Sequence, residues 1–170
     1  MLREIISHSP EETQQIGREL GKLAQAGDIF LLVGGLGTGK TCLTQGIAWG
    51  LGVEGYASSP SFVIVKEYQG RLPLYHIDLY RLDKIEEVME LGLEDYLYSG
   101  GVCVVEWAEK GLKAFPEQYL LIRLDFLSTT NAPDYQGRLT DVGQPTLRSL
   151  RFEPEGEHYL NLALKLCKSL

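Results

Sequence analysis

Apolar and polar positions follow one another in blocks that predict alternating strands and helices. Residues 2–7 are typical of a strand, and Ser9-Pro10-Glu11-Glu12 supplies a capping serine, a first-turn proline and a reciprocal acid for a helix. This helix should run to about Ala26, because Gly27-Asp28 then ends the pattern. Its core-facing stripe consists of Thr13, Ile16, Leu20, Leu23 and Ala24.

The next blocks predict a buried strand, a helix, a β-hairpin and an acidic helix. The apolar run at 29–33 is followed, after a glycine-rich segment, by a helix-permissive stretch at 42–51. Two β-rich runs, 62–68 and 72–80, indicate the hairpin. Residues 83–97 form an acidic amphipathic pattern interrupted near its glycine, and its carboxylates are interpreted as a solvated face.

The last part of the chain predicts two or three strands and a closing helix. A continuous apolar run at 102–105 is typical of a strand covered on both faces, and 119–126 forms a further strand. Residues 128–149 are interpreted as an irregular excursion without assigned chemistry, and 150–152 as a last strand. The helix at 157–169 should bury a stripe made of Leu160, Ala163, Leu164 and Cys167.

Composition limits the classes of protein that the chain could belong to. A length of 170 residues with 44% hydrophobic residues predicts one domain covering 1–170. The net charge of -7 argues against a broad grip on nucleic-acid backbones. Three cysteines without metal-ligand spacing argue against a zinc site or a disulfide framework. With no signal peptide or long apolar stretch in the sequence, we expect a cytoplasmic protein without membrane association.

The glycine-rich segment carries the strongest chemical signal. Residues 34–41 read GGLGTGKT and match the phosphate-binding pattern G-x-x-x-x-G-K-[ST] between a strand and a helix. Lys40 should reach the β- and γ-phosphates, and the Thr41 hydroxyl should bind Mg²⁺. The lack of a guanine-reading N-K-x-D motif favours ATP. The residues expected to contact the nucleotide are Gly35, Leu36, Gly37, Thr38, Gly39, Lys40, Thr41 and Cys42.

The alternation of elements and this motif together predict the fold class. We expect an α/β fold, a P-loop NTPase-like three-layer sandwich with a largely parallel central sheet, helices on both sides and an antiparallel hairpin at one side.

Two acids fit a magnesium-dependent triphosphate site. Glu106 ends the most apolar strand, where a carboxylate is costly to desolvate unless a cation or polar site receives it, and Asp78 lies near the end of the second strand of the hairpin. Either acid would hold the metal or orient the attacking water. The alternative is that Glu106 turns into solvent and that Asp78 faces outward.

Ser59, Ser61 and Trp107 have both a functional and a structural interpretation, and His76 has a structural one. Ser59 and Ser61 offer hydroxyls on a loop where triphosphate-sensing segments occur, but an ordinary turn explains them equally well. Trp107 would stack on the base or on a partner, or else pack in the core. His76 is expected to pack or hydrogen-bond within the hairpin.

The ordered set of motifs resembles the bacterial TsaE (YjeE) family of ATPases over residues 9–126. The resemblance rests on the phosphate loop 34–41, SPSF at 59–62, HIDLYRL at 76–82, ELG at 90–92 and VEW at 105–107. The chain departs from the family pattern at Gly35, often Asp, and at Cys42, often Thr. Neither position defines the phosphate motif, so these departures bear on hydrolysis and partner contacts.

The resemblance implies a function. TsaE proteins serve the synthesis of threonylcarbamoyladenosine at position 37 of tRNAs that read codons beginning with A. The chain would be an ATPase, weak alone, that docks on the complex of TsaB and TsaD and resets it, meeting tRNA only through that complex. In the family pattern Lys40 and Thr41 hold phosphate and Mg²⁺, Asp78 and Glu106 are the acids near metal and water, and the serine loop is a switch.

Two other functions stay open from the residues alone. A small-molecule kinase would use the same loop and an acidic base, but Arg71 and Arg81 do not form an evident lid over the phosphates. A regulatory module would bind the nucleotide without useful hydrolysis. The absence of an evident arginine finger predicts slow hydrolysis by the isolated chain, which we expect to be a monomer.

Overall fold

The computed structural model describes residues 3–58, 64–127 and 147–170. The elements in chain order are β1 (Arg3–Ser7), α1 (Pro10–Leu23), β2 (Ile29–Val33), α2 (Lys40–Gly50), β3 (Val65–Gln69), β4 (Pro73–Asp78), α3 (Ile85–Met89), α4 (Glu94–Leu97), β5 (Val102–Glu106), β6 (Tyr119–Phe126), β7 (Arg148–Glu155) and α5 (Glu157–Ser169). Two short 3₁₀ turns, Ala108–Lys110 and Leu112–Ala114, lie between β5 and β6.

Seven strands form one mixed sheet in the order β1-β7-β6-β2-β5-β4-β3. The four central strands, β6, β2, β5 and β4, are parallel to one another. The predicted hairpin is confirmed as the antiparallel pair β3 and β4. The prediction of a largely parallel sheet holds only for the centre, because β1, β7 and β6 also pair antiparallel and half of the strand pairings described are antiparallel.

Helices cover both faces of the sheet, as the sequence predicts. All five residues of β2 are buried, and so are all five of β5. Phe30 and Leu32 of β2 point into a core formed with α1, α2 and α5, whereas Ile29, Leu31 and Val33 point into a second core with α3 and α4. The uninterrupted apolar runs therefore reflect strands between two apolar layers. Among the described residues, no helix has the length and apolar character needed to span a membrane.

Helices α1 and α2 pack through glycines that bring their backbones together. A Cβ atom added to Gly17, Gly21, Gly46 or Gly50 would lie 2.1–2.4 Å from a backbone carbonyl oxygen of the facing helix. No real side chain tolerates that distance. This close packing fixes α2, and with it the first residues after the glycine-rich loop, against the outer helix α1.

Several predicted boundaries are wrong for tertiary reasons. Helix α1 ends at Leu23 instead of Ala26, and the Arg71 guanidinium donates hydrogen bonds to carbonyl oxygens of its last turn. Strand β7 begins at Arg148, so the last two residues of the segment predicted to be irregular, 128–149, belong to this strand. The remainder of that segment, 128–146, lies outside the described residues.

The buried stripe of α5 is also different from the predicted one. The buried residues are Tyr159, Leu162, Ala163 and Leu166, while Leu160 is 44% exposed and Leu164 and Cys167 are only partly buried. Leucines occur at every second position from 160 to 166, so spacing alone does not fix the phase of the helix. The hydroxyl of Tyr159 accepts a hydrogen bond from the backbone N–H of Ile29 at 2.9 Å. This contact helps to fix the phase of α5 against the sheet.

The acidic segment behaves as predicted. It forms two short helices, α3 and α4, separated by Gly92 with a left-handed φ of 65°. The carboxylates of this segment face solvent in the structure, at Glu86, Glu87, Glu90, Glu94 and Asp95.

We expect Gly46→Ala to destabilise the protein by about 1–3 kcal/mol, the usual cost of overpacking. Alanine ordinarily stabilises a helix relative to glycine by roughly 1 kcal/mol, but here its Cβ would lie 2.1 Å from the Gln14 carbonyl oxygen. Urea unfolding followed by circular dichroism would measure the change. Gln15→Ala on the exposed face of α1 is the control, and a Gly46→Ala variant as stable as the parent would contradict this account of the helix contact.

Candidate functional site

The glycine-rich loop connects β2 to α2 and lies at the carboxyl ends of the parallel strands. Gly34 and Gly39 have φ angles of 149° and 105°, in the region that favours glycine. A Cβ at Gly34 would also lie 2.3 Å from the Leu124 carbonyl oxygen, so no other residue fits there. The loop is thus pressed onto the sheet, and it leads into the amino terminus of α2, whose first backbone N–H groups favour an anion.

Lys40 is the first residue of α2, and its side chain folds back over the loop. The ammonium donates hydrogen bonds to the Gly34 and Gly35 carbonyl oxygens at 2.7 and 2.8 Å. It also lies 3.8 Å from the centre of the Trp107 ring. Burial lowers the pKa of Lys40, and the charges of Glu106, Glu109 and Asp78 oppose that effect. The lysine ammonium is therefore held against the loop carbonyl oxygens.

Glu106 is the centre of a buried polar network. Its carboxylate is 2% exposed, accepts a hydrogen bond from the Thr41 hydroxyl at 2.9 Å and lies 2.7 Å from Nε2 of His76. The Thr44 hydroxyl lies 3.0 Å from the carboxylate and 3.0 Å from the Lys40 carbonyl oxygen, so its proton is shared. The side chain therefore points inward rather than turning into solvent, and its burial is compensated by polar partners.

His76 and Glu106 form a buried pair, with 2.7 Å between the imidazole Nε2 and a carboxylate oxygen. A carboxylate only accepts hydrogen bonds, so Nε2 is the donor toward it. His76 is fully buried, and among the residues that the structure describes its Nδ1 has no hydrogen-bond partner. The prediction that His76 hydrogen-bonds inside the hairpin is wrong in one respect, because its partner lies on the neighbouring strand β5.

Asp78 lies beside Glu106 at the same edge of the sheet. The two residues are direct neighbours in the parallel pairing of β4 with β5. Asp78 is partly exposed, and its Oδ1 accepts a hydrogen bond from the Tyr80 backbone N–H at 2.9 Å. The structure therefore brings both predicted acids next to the loop, one buried and one open to the groove.

Trp107 follows Glu106 and has a strained backbone. Its φ of 58° is the only positive value for a non-glycine residue in the described part of the chain. Its ring contacts Lys40 on one side and the Tyr80 ring, at a centroid distance of 4.9 Å, on another. Trp107 is partly buried and packs against the second core, which agrees with the core interpretation of the sequence, and its ring also contacts the first residue of α2, Lys40.

These residues line one groove of about 410 Å³. Its walls include the predicted residues Lys40, Thr41, Asp78 and Glu106, together with Leu36, Gly37 and Gly39 of the loop and Cys42 of α2, which the sequence also predicts. Within the loop, the Thr38 hydroxyl donates to the Gly35 carbonyl oxygen at 2.9 Å. Cys42 contacts the Pro10 carbonyl oxygen, and burial raises the pKa of its thiol. Ser59 and Ser61 lie outside the described residues.

Sequence reasoning missed three contributors. Thr44 follows Lys40 by one helical turn, so the helical period would have placed it on the same face. Tyr80 is inside a motif that carries the family resemblance. Arg148 also lines the groove, but it comes from the distant strand β7, and no sequence pattern places it there.

The side-chain oxygen atoms of the groove are of the kind that bind a magnesium ion. The Thr41 hydroxyl gives its proton to Glu106, so its lone pairs remain able to coordinate a cation. Asp78 and Glu106 supply further hard oxygen atoms. In the described ranges no group of three or more His, Cys, Asp or Glu side chains is placed to hold a metal ion.

Comparisons with known proteins agree on one family. The sequence model of the family "Threonylcarbamoyl adenosine biosynthesis protein TsaE" matches residues 7–132. The TsaE protein of Treponema pallidum is 39% identical over 126 residues, 74% of this chain and 93% of its own length. The Bacillus subtilis protein of the same name is 45% identical over 115 residues, 67% of this chain and 72% of its own length.

A solved structure has the same architecture. The crystal structure of YdiB from Bacillus subtilis superimposes with a TM-score of 0.77 at 33% identity, and the match covers 99% of this chain and 96% of YdiB. The family model stops at residue 132, so the structural likeness adds the described elements β7 and α5.

We expect His76→Leu to lower the free energy of unfolding by about 2–3 kcal/mol, because a buried hydrogen bond to a charged group is lost while Glu106 stays buried. Denaturant unfolding would measure the loss. His8→Leu is the control, since the His8 side chain is 63% exposed and its ion pair with Glu12 should contribute little. Equal stability of the two variants would show that His76 does not support the carboxylate.

Proposed function

This chain belongs to the TsaE family of tRNA threonylcarbamoyladenosine biosynthesis proteins, and we propose that it acts there as a partner-dependent ATPase. The observation that carries the proposal is the convergence of Lys40, Thr41, Asp78 and Glu106 in one groove on a glycine-rich loop. The sequence of β2, glycine-rich loop and α2 supports the assignment of the fold as P-loop NTPase-like. ATP with Mg²⁺ is the proposed ligand.

The loop and Lys40 would bind the phosphates. The ammonium now donates to the Gly34 and Gly35 carbonyl oxygens, so binding exchanges two neutral acceptors for charged phosphate oxygens. The amino terminus of α2 adds backbone donors at the same point. Trp107 contacts both Lys40 and Tyr80 beside this part of the groove.

Asp78 and Glu106 would organise the part of the groove in which the γ-phosphate is attacked by water. Thr41 and Asp78 would hold Mg²⁺, which supplies charge neutralisation at the β- and γ-phosphate oxygens when it is bound. Glu106 orients the Thr41 hydroxyl through their hydrogen bond and is the base candidate for an attacking water. His76 and Thr44 hold its carboxylate in place, as an oriented catalytic group requires.

The proposed partner proteins are those that the family resemblance implies. We propose that the chain acts in the cytoplasm on a complex of TsaB and TsaD and couples ATP hydrolysis to the reset of that complex after threonylcarbamoyl transfer. Contact with tRNA would be indirect, since a protein of net charge -7 is poorly suited to hold an RNA backbone by itself. Ser59 and Ser61 would belong to a segment that responds to the γ-phosphate.

We expect Glu106→Gln to reduce ATP turnover about 100-fold, the usual contribution of a positioned general base, while the dissociation constant for ATP changes less than about twofold. Single-turnover hydrolysis and calorimetric titration would measure the two quantities. Glu109→Gln, exposed three residues further along, is the control. A parallel loss of binding and turnover would contradict the role given to Glu106.

We expect repeated threonylcarbamoyl transfer to tRNA by TsaB and TsaD to require this chain with hydrolysable ATP. A reconstituted assay would compare the parent chain with Lys40→Ala, which should support only the first turnover because it lacks the phosphate ligand. The labelled γ-phosphate of ATP should be released into solution as inorganic phosphate. Its transfer to a small molecule would favour the kinase alternative, and full activity without the chain would contradict the proposed role.

A further inference from the structure

Lys110 connects the two turns that follow the acid-bearing strands β4 and β5. It ends the 3₁₀ turn after β5, and its side chain reaches back to the turn after β4. There its ammonium donates hydrogen bonds to the carbonyl oxygens of Tyr80 and Leu82, the second at 2.9 Å. Hydrogen bonds from a charged donor are stronger than those from a neutral one. One cation therefore ties together two segments of the chain that follow different strands.

The chain leaves the sheet where Lys110 binds it. Strand β4 ends at Asp78, and the backbone N–H of Leu79 makes one more hydrogen bond to β5, to the Glu106 carbonyl oxygen at 3.1 Å. The next residues form a turn, which the Leu82 N–H closes by donating to the Leu79 carbonyl oxygen at 3.0 Å. Tyr80, 50% exposed, thus lies beyond the strand pairing, and the lysine gives its backbone a fixed point.

Tyr80 links this contact to the groove. Its backbone N–H donates to Oδ1 of Asp78 at 2.9 Å, and the centre of its ring lies 4.9 Å from that of Trp107. Lys110 also holds Trp107 directly, because its own backbone N–H donates to the Trp107 carbonyl oxygen at 3.1 Å. The Trp107 ring in turn contacts the ammonium of Lys40. Lys110 therefore holds both members of the Tyr80–Trp107 pair from behind the groove.

We propose that Lys110 is a positioning residue of the nucleotide site, which sets the Asp78 carboxylate and the Trp107 ring through Tyr80. The inference rests on the proposed function, in which Asp78 holds Mg²⁺. Removing a group that orients a metal ligand commonly costs about 10- to 100-fold in metal affinity or activity. The Tyr80 N–H is such a group for Asp78, and Lys110 holds the carbonyl group of the same residue.

The test removes the ammonium and measures two quantities on the full chain. We expect Lys110→Met to raise the Mg²⁺ concentration for half-maximal ATP hydrolysis about tenfold, the lower limit for an orienting group. The fluorescence of Trp107, measured without nucleotide or metal, should shift to longer wavelength, because the partly buried ring loses its fixed neighbour and meets more water. A Trp49→Phe background isolates this signal, since the chain has two tryptophans. Lys110→Arg should restore both quantities, because a guanidinium also donates to carbonyl oxygens.

Lys113→Met is the matched control, since Lys113 is exposed in the following 3₁₀ turn, and it should change neither quantity. An unchanged Mg²⁺ requirement or an unchanged Trp107 emission in Lys110→Met would overturn the inference, even if the variant unfolds more easily, because the lysine would then support the fold alone. A parent chain that hydrolyses no ATP would overturn the proposed function instead. The emission of Trp107 needs neither ligand, so it would still decide whether Lys110 positions that ring.

Discussion

The buried carboxylate of Glu106 is the constraint on which the site depends. It stands at the end of a fully apolar strand, where an uncompensated charge would be very costly. Two hydroxyls from α2 and an imidazole from β4 satisfy it, so one side chain ties together three elements. The network makes the positions of Thr41 and His76 interdependent, and it keeps a charged oxygen beside the phosphate loop in a region that excludes water.

The glycine contact between α1 and α2 supports this arrangement from the outside. The helices approach closely enough that no side chain fits at the four glycines, which leaves α2 little freedom to shift. The amino-terminal part of α2 carries Lys40, Thr41 and Thr44, so a shift of this helix would move the lysine and two residues of the carboxylate network together. The tight helix packing and the buried network therefore favour a preformed site over one assembled by the ligand.

The groove combines residues that are distant from one another in the chain. Lys40, the two acids, Trp107 and Tyr80 line it together with Arg148 of β7. At Trp107 a positive φ accompanies contacts of the indole with both Lys40 and Tyr80.

The sequence alone determined the elements and the reactive residues, because both depend on local patterns. The apolar runs of β2 and β5, the capping sequence of α1 and the glycine motif are short-range signals, and the structure contains the corresponding elements. Only the tertiary structure decided the antiparallel strands β1 and β7, the phase of α5, the partners of Glu106 and the place of Arg148. These features depend on contacts between residues far apart in the chain, such as Arg148 with Gly37 and Tyr159 with Ile29, and hydrophobic periodicity carries no information about such pairs.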